Sequence, residues 1–168
     1  MSTMVRALLL DLDDTLLHNS MEAFLPRYFS ALMEAVSEVM APQEFLAALH
    51  HATQRMMADT DPGRSNKEVF WHFFEPMLPV ERDVIEPLLD RFYEESFPLL
   101  DVGAAPVEGA QELVTAAKGA GWKVAVATNP VFPLRAIQHR IAWAGLDEAK
   151  LDFVTAYENM HSTKPHSQ

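Results

Sequence analysis

Ala7-Leu8-Leu9-Leu10-Asp11-Leu12-Asp13-Asp14-Thr15-Leu16-Leu17 begins as an unbroken apolar run and stops in carboxylates, two of them separated by one residue. From Val5 to Leu10 the residues are nearly all apolar without alternation, the pattern of a strand covered on both faces in a parallel sheet. Ligands of such sheets collect in the crevice beyond the carboxyl ends of the strands. Asp11 and Asp13 are therefore expected where a substrate can reach them, and carboxylates at a strand end suggest a metal-assisted site.

Past this stretch the period changes. Met21, Phe24, Leu25, Tyr28, Phe29, Leu32, Val36, Val39 and Met40 follow the three-and-four spacing of an amphipathic helix, with Ser20 as its N-cap. A second helix is expected from Pro42, with Phe45, Leu46, Leu49, Ala52 and Met56 on one face, until Asp61-Pro62-Gly63 breaks it. Ser65-Asn66-Lys67-Glu68 has the form of a capping box and predicts a third, with Val69, Phe70, Phe73 and Phe74 on its apolar side up to Pro76. Val80 to Phe97 predicts a fourth.

The segment Pro98 to Gly109 marks a boundary, after which helix and strand alternate. Glu108 to Lys118 reads as a helix closed by Gly119 and Gly121, Lys123 to Thr128 as a buried strand, Pro133 to Ala144 as a helix closed by Gly145, and Leu151 to Ala156 as another strand. The fold class is α/β: a Rossmann-like parallel sheet core with an inserted all-helical cap. The core is expected over residues 1–17 and 100–168 and the cap over 18–99. A mobile cap above a strand-end site excludes water and selects substrate.

The 168 residues hold 13 basic and 24 acidic side chains, a net charge of -11, with 49% hydrophobic residues, ample for a buried core. Such a field repels nucleic acid and anionic lipid, and no basic patch overrides it. There is no cysteine, which excludes disulfides, thiolate chemistry and Cys-ligated metals. The apolar run before Asp11 is too short for a signal-peptide core and no run approaches membrane-spanning length, so a cytoplasmic protein is expected.

Three features would share one edge of the sheet: Asp11 and Asp13 after the first strand, Thr128-Asn129 after the strand from Lys123, and Lys164-Pro165 after the last strand. Alone, each has a bland reading as a solvated turn, a strand end or an exposed tail. Their order and context resemble the haloacid dehalogenase superfamily of phosphohydrolases, in the branch with a helical cap between the first two motifs. The first motif is matched by Asp11-Leu12-Asp13-Asp14-Thr15, the second by Thr128 and the third by Lys164 before Pro165. Asp14 stands where many relatives have glycine and reads as a loop residue.

The resemblance implies a Mg²⁺-dependent phosphohydrolase acting on a small phosphorylated metabolite. Asp11 would attack phosphorus to give an aspartyl-phosphate, and Asp13 would protonate the leaving oxygen and later deprotonate water. Mg²⁺ would be held by the Asp11 carboxylate and the Asp13 backbone carbonyl. A carboxylate approaching a phosphate anion meets repulsion of about 1 kcal/mol at 4 Å in water and about 4 kcal/mol at an effective dielectric of 20. Mg²⁺ and Lys164 would offset this, with Thr128 and Asn129 donating hydrogen bonds to the phosphoryl oxygens. Dehalogenating relatives do not need an acid two residues on, so Asp13 favours phosphoryl transfer. A phosphomutase is a further alternative within the family.

The family's fourth motif, an acid beyond the next strand that completes the Mg²⁺ site, has no counterpart here, and Glu158 precedes Lys164. The sequence reads as truncated, with impaired turnover and with the first strand left as an apolar edge through which the chain self-associates. A phosphate- or protein-binding module that kept the fold and lost turnover is the rival from another class; a receiver-like domain would carry no helical insertion. His50, His51, Arg55, Arg64, Lys67, Trp71 and His72 in the cap, and His18 and Asn19 near the hinge, are candidates for substrate contact, each read first as solvated or packed.

Overall fold

The computed structural model describes residues 6–100 and 103–166; Val5, where the sequence expects the first strand to begin, lies outside them. Along the described chain run β1 (Ala7–Leu10), β2 (Leu17–His18), α1 (Met21–Ala35), α2 (Pro42–Ala58), α3 (Asn66–Phe74), α4 (Arg82–Arg91), β3 (Ala105–Pro106), α5 (Ala110–Gly119), β4 (Lys123–Val126), α6 (Leu134–Trp143) and β5 (Phe153–Val154). The fold is an α/β sheet core interrupted by a helical cap. β1, β4 and β5 form a parallel sheet in that order. Leu10 pairs with Val126 and Val126 with Val154, so the strands end level with one another.

That register positions the site. With Leu10 opposite Val126, the Ala127 amide donates to the Leu10 carbonyl at 2.7 Å, and Asp11 and Thr128 emerge side by side. β4 is the covered strand, with Val124 and Val126 fully buried. Among the described residues β1 has a partner along one side only, the edge position the sequence expects, while Leu9, 67% exposed, departs from the expectation of a strand covered on both faces.

The chain leaves the core through β2 and returns through β3, which pair antiparallel, Leu17 with Pro106 and His18 with Ala105. This two-residue ribbon is invisible to periodicity, being shorter than any pattern. Ser20 caps α1 through its side chain, which accepts from the Ala23 amide at 3.3 Å. The helix ends at Ala35 rather than near Met40; Val36 to Met40 continue as turns that still bury Val36 and Met40, which explains why their spacing mimics a longer helix. α2 begins at Pro42 as expected. The capping box at α3 is present in both directions, Glu68 amide to Ser65 hydroxyl at 3.2 Å and Ser65 amide to Glu68 carboxylate at 2.7 Å. The expected helix from Val80 to Phe97 is α4 followed by a wider π turn at Phe92–Ser96 and a 3-10 turn at Phe97–Leu99.

Cap and core meet in a cluster of rings. Phe24 and Tyr28 of α1 stack at 5.5 Å, both lie edge-on to Phe132 of the loop before α6, and Phe97 stacks on Trp143 of α6 at 5.4 Å. A second attachment lies at the start of α3. The first amides of a helix have no partner within it; here Asn66 N–H donates to the Met160 carbonyl at 2.7 Å and Lys67 N–H to the Tyr157 carbonyl at 2.8 Å. The buried Asn66 side chain donates to the Pro130 carbonyl at 3.0 Å.

Candidate active site

Immediately after β1 the chain folds back on itself. The amides of Thr15, Leu16 and Leu17 all point to the Leu12 carbonyl, at 3.3, 2.9 and 2.9 Å, and Leu12, Leu16 and Leu17 are buried beneath. Closing so tight a loop puts Asp14 at φ 54°, a left-handed conformation that aspartate tolerates better than most residues. The apolar residues of the loop face down, which leaves Asp11 exposed at the strand end and Asp13 half-buried.

Two distant segments meet beside Asp11. The Lys164 ammonium donates to Asp11 Oδ1 at 3.1 Å, and the Lys164 backbone amide donates to Asn129 Oδ1 at 3.0 Å. Asn129 thereby holds the loop that presents the cation. Thr128 is buried, 3% exposed, and its carbonyl accepts the Thr155 hydroxyl at 2.7 Å, which fixes the end of β4 against the residue following β5. Asp11, Thr128, Asn129 and Lys164 are thus placed at the carboxyl edge of the sheet, with direct contacts joining Asp11 to Lys164 and Lys164 to Asn129.

Asp13 has partners that sequence reasoning did not find. Its Oδ1 accepts from Asn19 Nδ2 at 3.1 Å and pairs with the Arg140 guanidinium. Arg140 comes from α6, is 1% exposed and lies between the rings of Phe24 and Phe132, at 5.7 and 5.4 Å. The signal was available: α6 buries Ala136, Ile137, Arg140 and Ile141, so an arginine interrupts an apolar stripe. Asn19, weighed as a hinge residue, is 2% exposed. Asn19 Oδ1 and Arg140 Nε are buried without a hydrogen-bond partner among the described residues, an arrangement that stability alone does not favour.

The donors offered to a Mg²⁺ ion are hard oxygens. The Asp11 carboxylate is exposed, its Oδ2 is not taken up by Lys164, and the Asp13 carbonyl accepts no backbone hydrogen bond among the described residues. No group of three or more His, Asp or Glu side chains that would hold a metal occurs among the described residues. The two oxygens nevertheless fit Mg²⁺, which keeps several waters and is commonly held by one or two carboxylates with substrate phosphate.

The polar residues weighed in the cap are engaged elsewhere. Arg64 pairs with Asp59 at 2.8 Å, Arg55 lies over the Phe73 ring at 4.5 Å, His50 packs on Phe29 at 5.3 Å, and Trp71 is buried beneath Arg82. No helix among the described residues is long and apolar enough to cross a membrane.

Comparison with solved structures finds similar chains. A mutant CbbY from Rhodobacter sphaeroides in complex with xylulose-(1,5)bisphosphate is 20% identical, with a TM-score of 0.50, 96% of this chain covered and 68% of that one. A predicted phosphoglycolate phosphatase from Haemophilus somnus 129PT is 16% identical, with a TM-score of 0.48 and coverages of 99% and 68%. A hydrolase from Pseudomonas syringae is 15% identical, with a TM-score of 0.46 and coverages of 90% and 61%. The chain therefore spans about two thirds of the length of these structures. No curated protein matches it. The family model for haloacid dehalogenase-like hydrolases matches residues 5–168, and the chain belongs to that family.

Proposed function

We propose that the protein is a Mg²⁺-dependent phosphohydrolase that acts on a small phosphomonoester through an aspartyl-phosphate at Asp11. The observation that carries this reading is the convergence of Lys164 on Asp11 with Asn129 bracing the lysine's backbone. A carboxylate is a useful nucleophile toward phosphorus only where cations offset the charge it meets.

An Asp11 carboxylate oxygen bonds to phosphorus as the bond from phosphorus to the leaving oxygen breaks. Lys164 and the hydrogen-bonding groups of Thr128 and Asn129 bind the phosphoryl oxygens. Asp13 gives its proton to the leaving oxygen, then takes one from the water that attacks phosphorus as the bond to Asp11 breaks. Both protein contacts to Asp13 fall on Oδ1, which orients the carboxyl and leaves Oδ2 for the proton. Mg²⁺, held by the Asp11 carboxylate and the Asp13 carbonyl, would supply Lewis-acid stabilisation of charge on the phosphoryl group.

The test is hydrolysis of p-nitrophenyl phosphate with and without Mg²⁺, together with trapping of the acyl-phosphate by hydroxylamine. Mg²⁺-dependent turnover and a trapped adduct, both absent in Asp11→Asn, are expected. Binding of phosphate with neither turnover nor adduct in the folded protein would turn the assignment toward a phosphate-binding module.

A further inference from the structure

A cavity of about 660 Å³ lies between the cap and the core loops that follow β4 and β5, and none of Asp11, Asp13, Thr128, Asn129 or Lys164 lines it. Its size falls within the range of about 300–1,000 Å³ typical of small-molecule sites. Its floor is aromatic and buried: Tyr28 from α1, Phe70 and Trp71 from α3, and Phe132 from the loop before α6. The ring faces beside it already take up cations, Lys67 at 5.9 Å from the Tyr157 ring and Arg82 at 4.1 Å from the Trp71 ring.

The polar lining is unbalanced. Four carboxylates, Glu86, Asp90, Glu94 and Glu158, face two cations, Lys67 and Arg135. Glu86 is answered by Arg82 and Lys67, and Glu94 by Arg135. Asp90 and Glu158 have no ion-pair partner among the described residues; one oxygen of Glu158 accepts the Leu134 amide at 2.9 Å. Burial pushes the Glu158 carboxyl above its ordinary value against the opposing pull of the Leu134 amide and the Lys67 charge, with Asp90 adding to the rise.

We propose that this cavity is a second ligand site, for a small molecule with an aromatic or branched aliphatic body and a protonated or quaternary ammonium group. The body fills the aromatic floor and the nitrogen meets ring faces together with Asp90 and Glu158. Aromatic faces and carboxylates reinforce one another toward a cation, and the rings tolerate a range of shapes behind it. The wall it shares with Phe132 and Tyr28 is one side chain away from Arg140, and through it from Asp13.

Three probes of one shape and different charge test this: phenethylamine, 2-phenylethanol and phenylacetate, titrated against the protein by calorimetry at low ionic strength. Phenethylamine is expected to bind about tenfold more tightly than the alcohol, with phenylacetate weakest. In the double variant Asp90→Asn with Glu158→Gln, the amine should lose its advantage while the alcohol keeps its affinity. A Leu49→Trp variant, which fills the cavity, should lose both. Equal binding of the three probes, no binding at millimolar concentration, or an amine preference that survives the double variant would each overturn the proposal. The assignment stands apart from the phosphohydrolase reading: amine binding is expected unchanged in Asp11→Asn and in saturating inorganic phosphate, and displacement by either would place the nitrogen at the strand ends and refute a separate site.

Discussion

Arg140 holds its guanidinium against Asp13 from within a helix face otherwise made of alanine and isoleucine. Burying an arginine costs free energy that a single carboxylate and two ring faces repay only in part, and hydrophobic replacement of such pairs is often neutral or stabilising. The pair is therefore better explained by what it does to Asp13 than by what it does for the fold. Asp13 is 27% exposed and can hydrate once its partner is gone, so Arg140→Met is expected to cost less than the roughly 3–5 kcal/mol of breaking a fully buried pair, about 2 kcal/mol or less in urea titrations. On the proposed mechanism, turnover should fall by on the order of 100-fold with KM little altered, because misplacing Asp13 as proton donor would cost the transition state and not substrate binding. Loss of several kcal/mol, with turnover per folded molecule intact, would make Arg140 structural. This is also the scale at which the sequence was least legible. Asp11, Thr128, Asn129 and Lys164 stand out because each follows a strand, whereas Arg140 lies mid-helix, 127 residues from its partner, and only its place in the apolar stripe betrays it.

Among the elements, β5 depends on one residue just before it. The Asp152 carboxylate accepts from Lys118 of α5 at 2.6 Å, from Lys123 of β4 at 2.8 Å and from the Val124 amide at 2.8 Å, which ties a helix and two strands together. These three donors hold its carboxyl well below the usual carboxylate range. A depressed folded-state pKa contributes stability that is present above about pH 4, the ordinary aspartate value, and is lost as pH falls through the lower folded value. Asp152→Asn is accordingly expected to be less stable than the parent at pH 7, and the two unfolding curves should converge in acid. A difference that persisted unchanged below pH 2 would locate the effect elsewhere. Helix starts were well predicted because Ser20, Pro42 and the Ser65–Glu68 box act locally. The end of α1 was not, since Val36 and Met40 reach the core from turns as well as they would from a helix. The β2–β3 ribbon was missed because its pairing is decided by two residues and partners far along the chain, Leu17 with Pro106 and His18 with Ala105.

For the molecule as a whole, the open side of β1 has the largest consequence in solution. Strand groups unpaired among the described residues, next to Leu9, 67% exposed, form a template for another strand, and the net charge of -11 opposes but does not locally mask it. Sedimentation velocity is expected to show concentration-dependent association, suppressed in Leu9→Lys; a monomer at all concentrations would show that the edge is protected. The division into sheet core and helical insertion was legible from the change of period at Met21 and the return to alternation after Gly109, because both are properties of long segments.

The attachment at the start of α3 has a mechanical meaning. The carbonyls that receive its first amides belong to Tyr157 and Met160, in the same stretch of chain that delivers Lys164, and the Thr163 hydroxyl reaches back to Met57 of α2 at 3.3 Å. The segment bearing the ammonium is fastened to the roof as well as to the floor. On the proposed reading, lifting the roof would strain the arm that holds the positive charge over Asp11, so shelter from water and charge neutralisation would be established together and lost together.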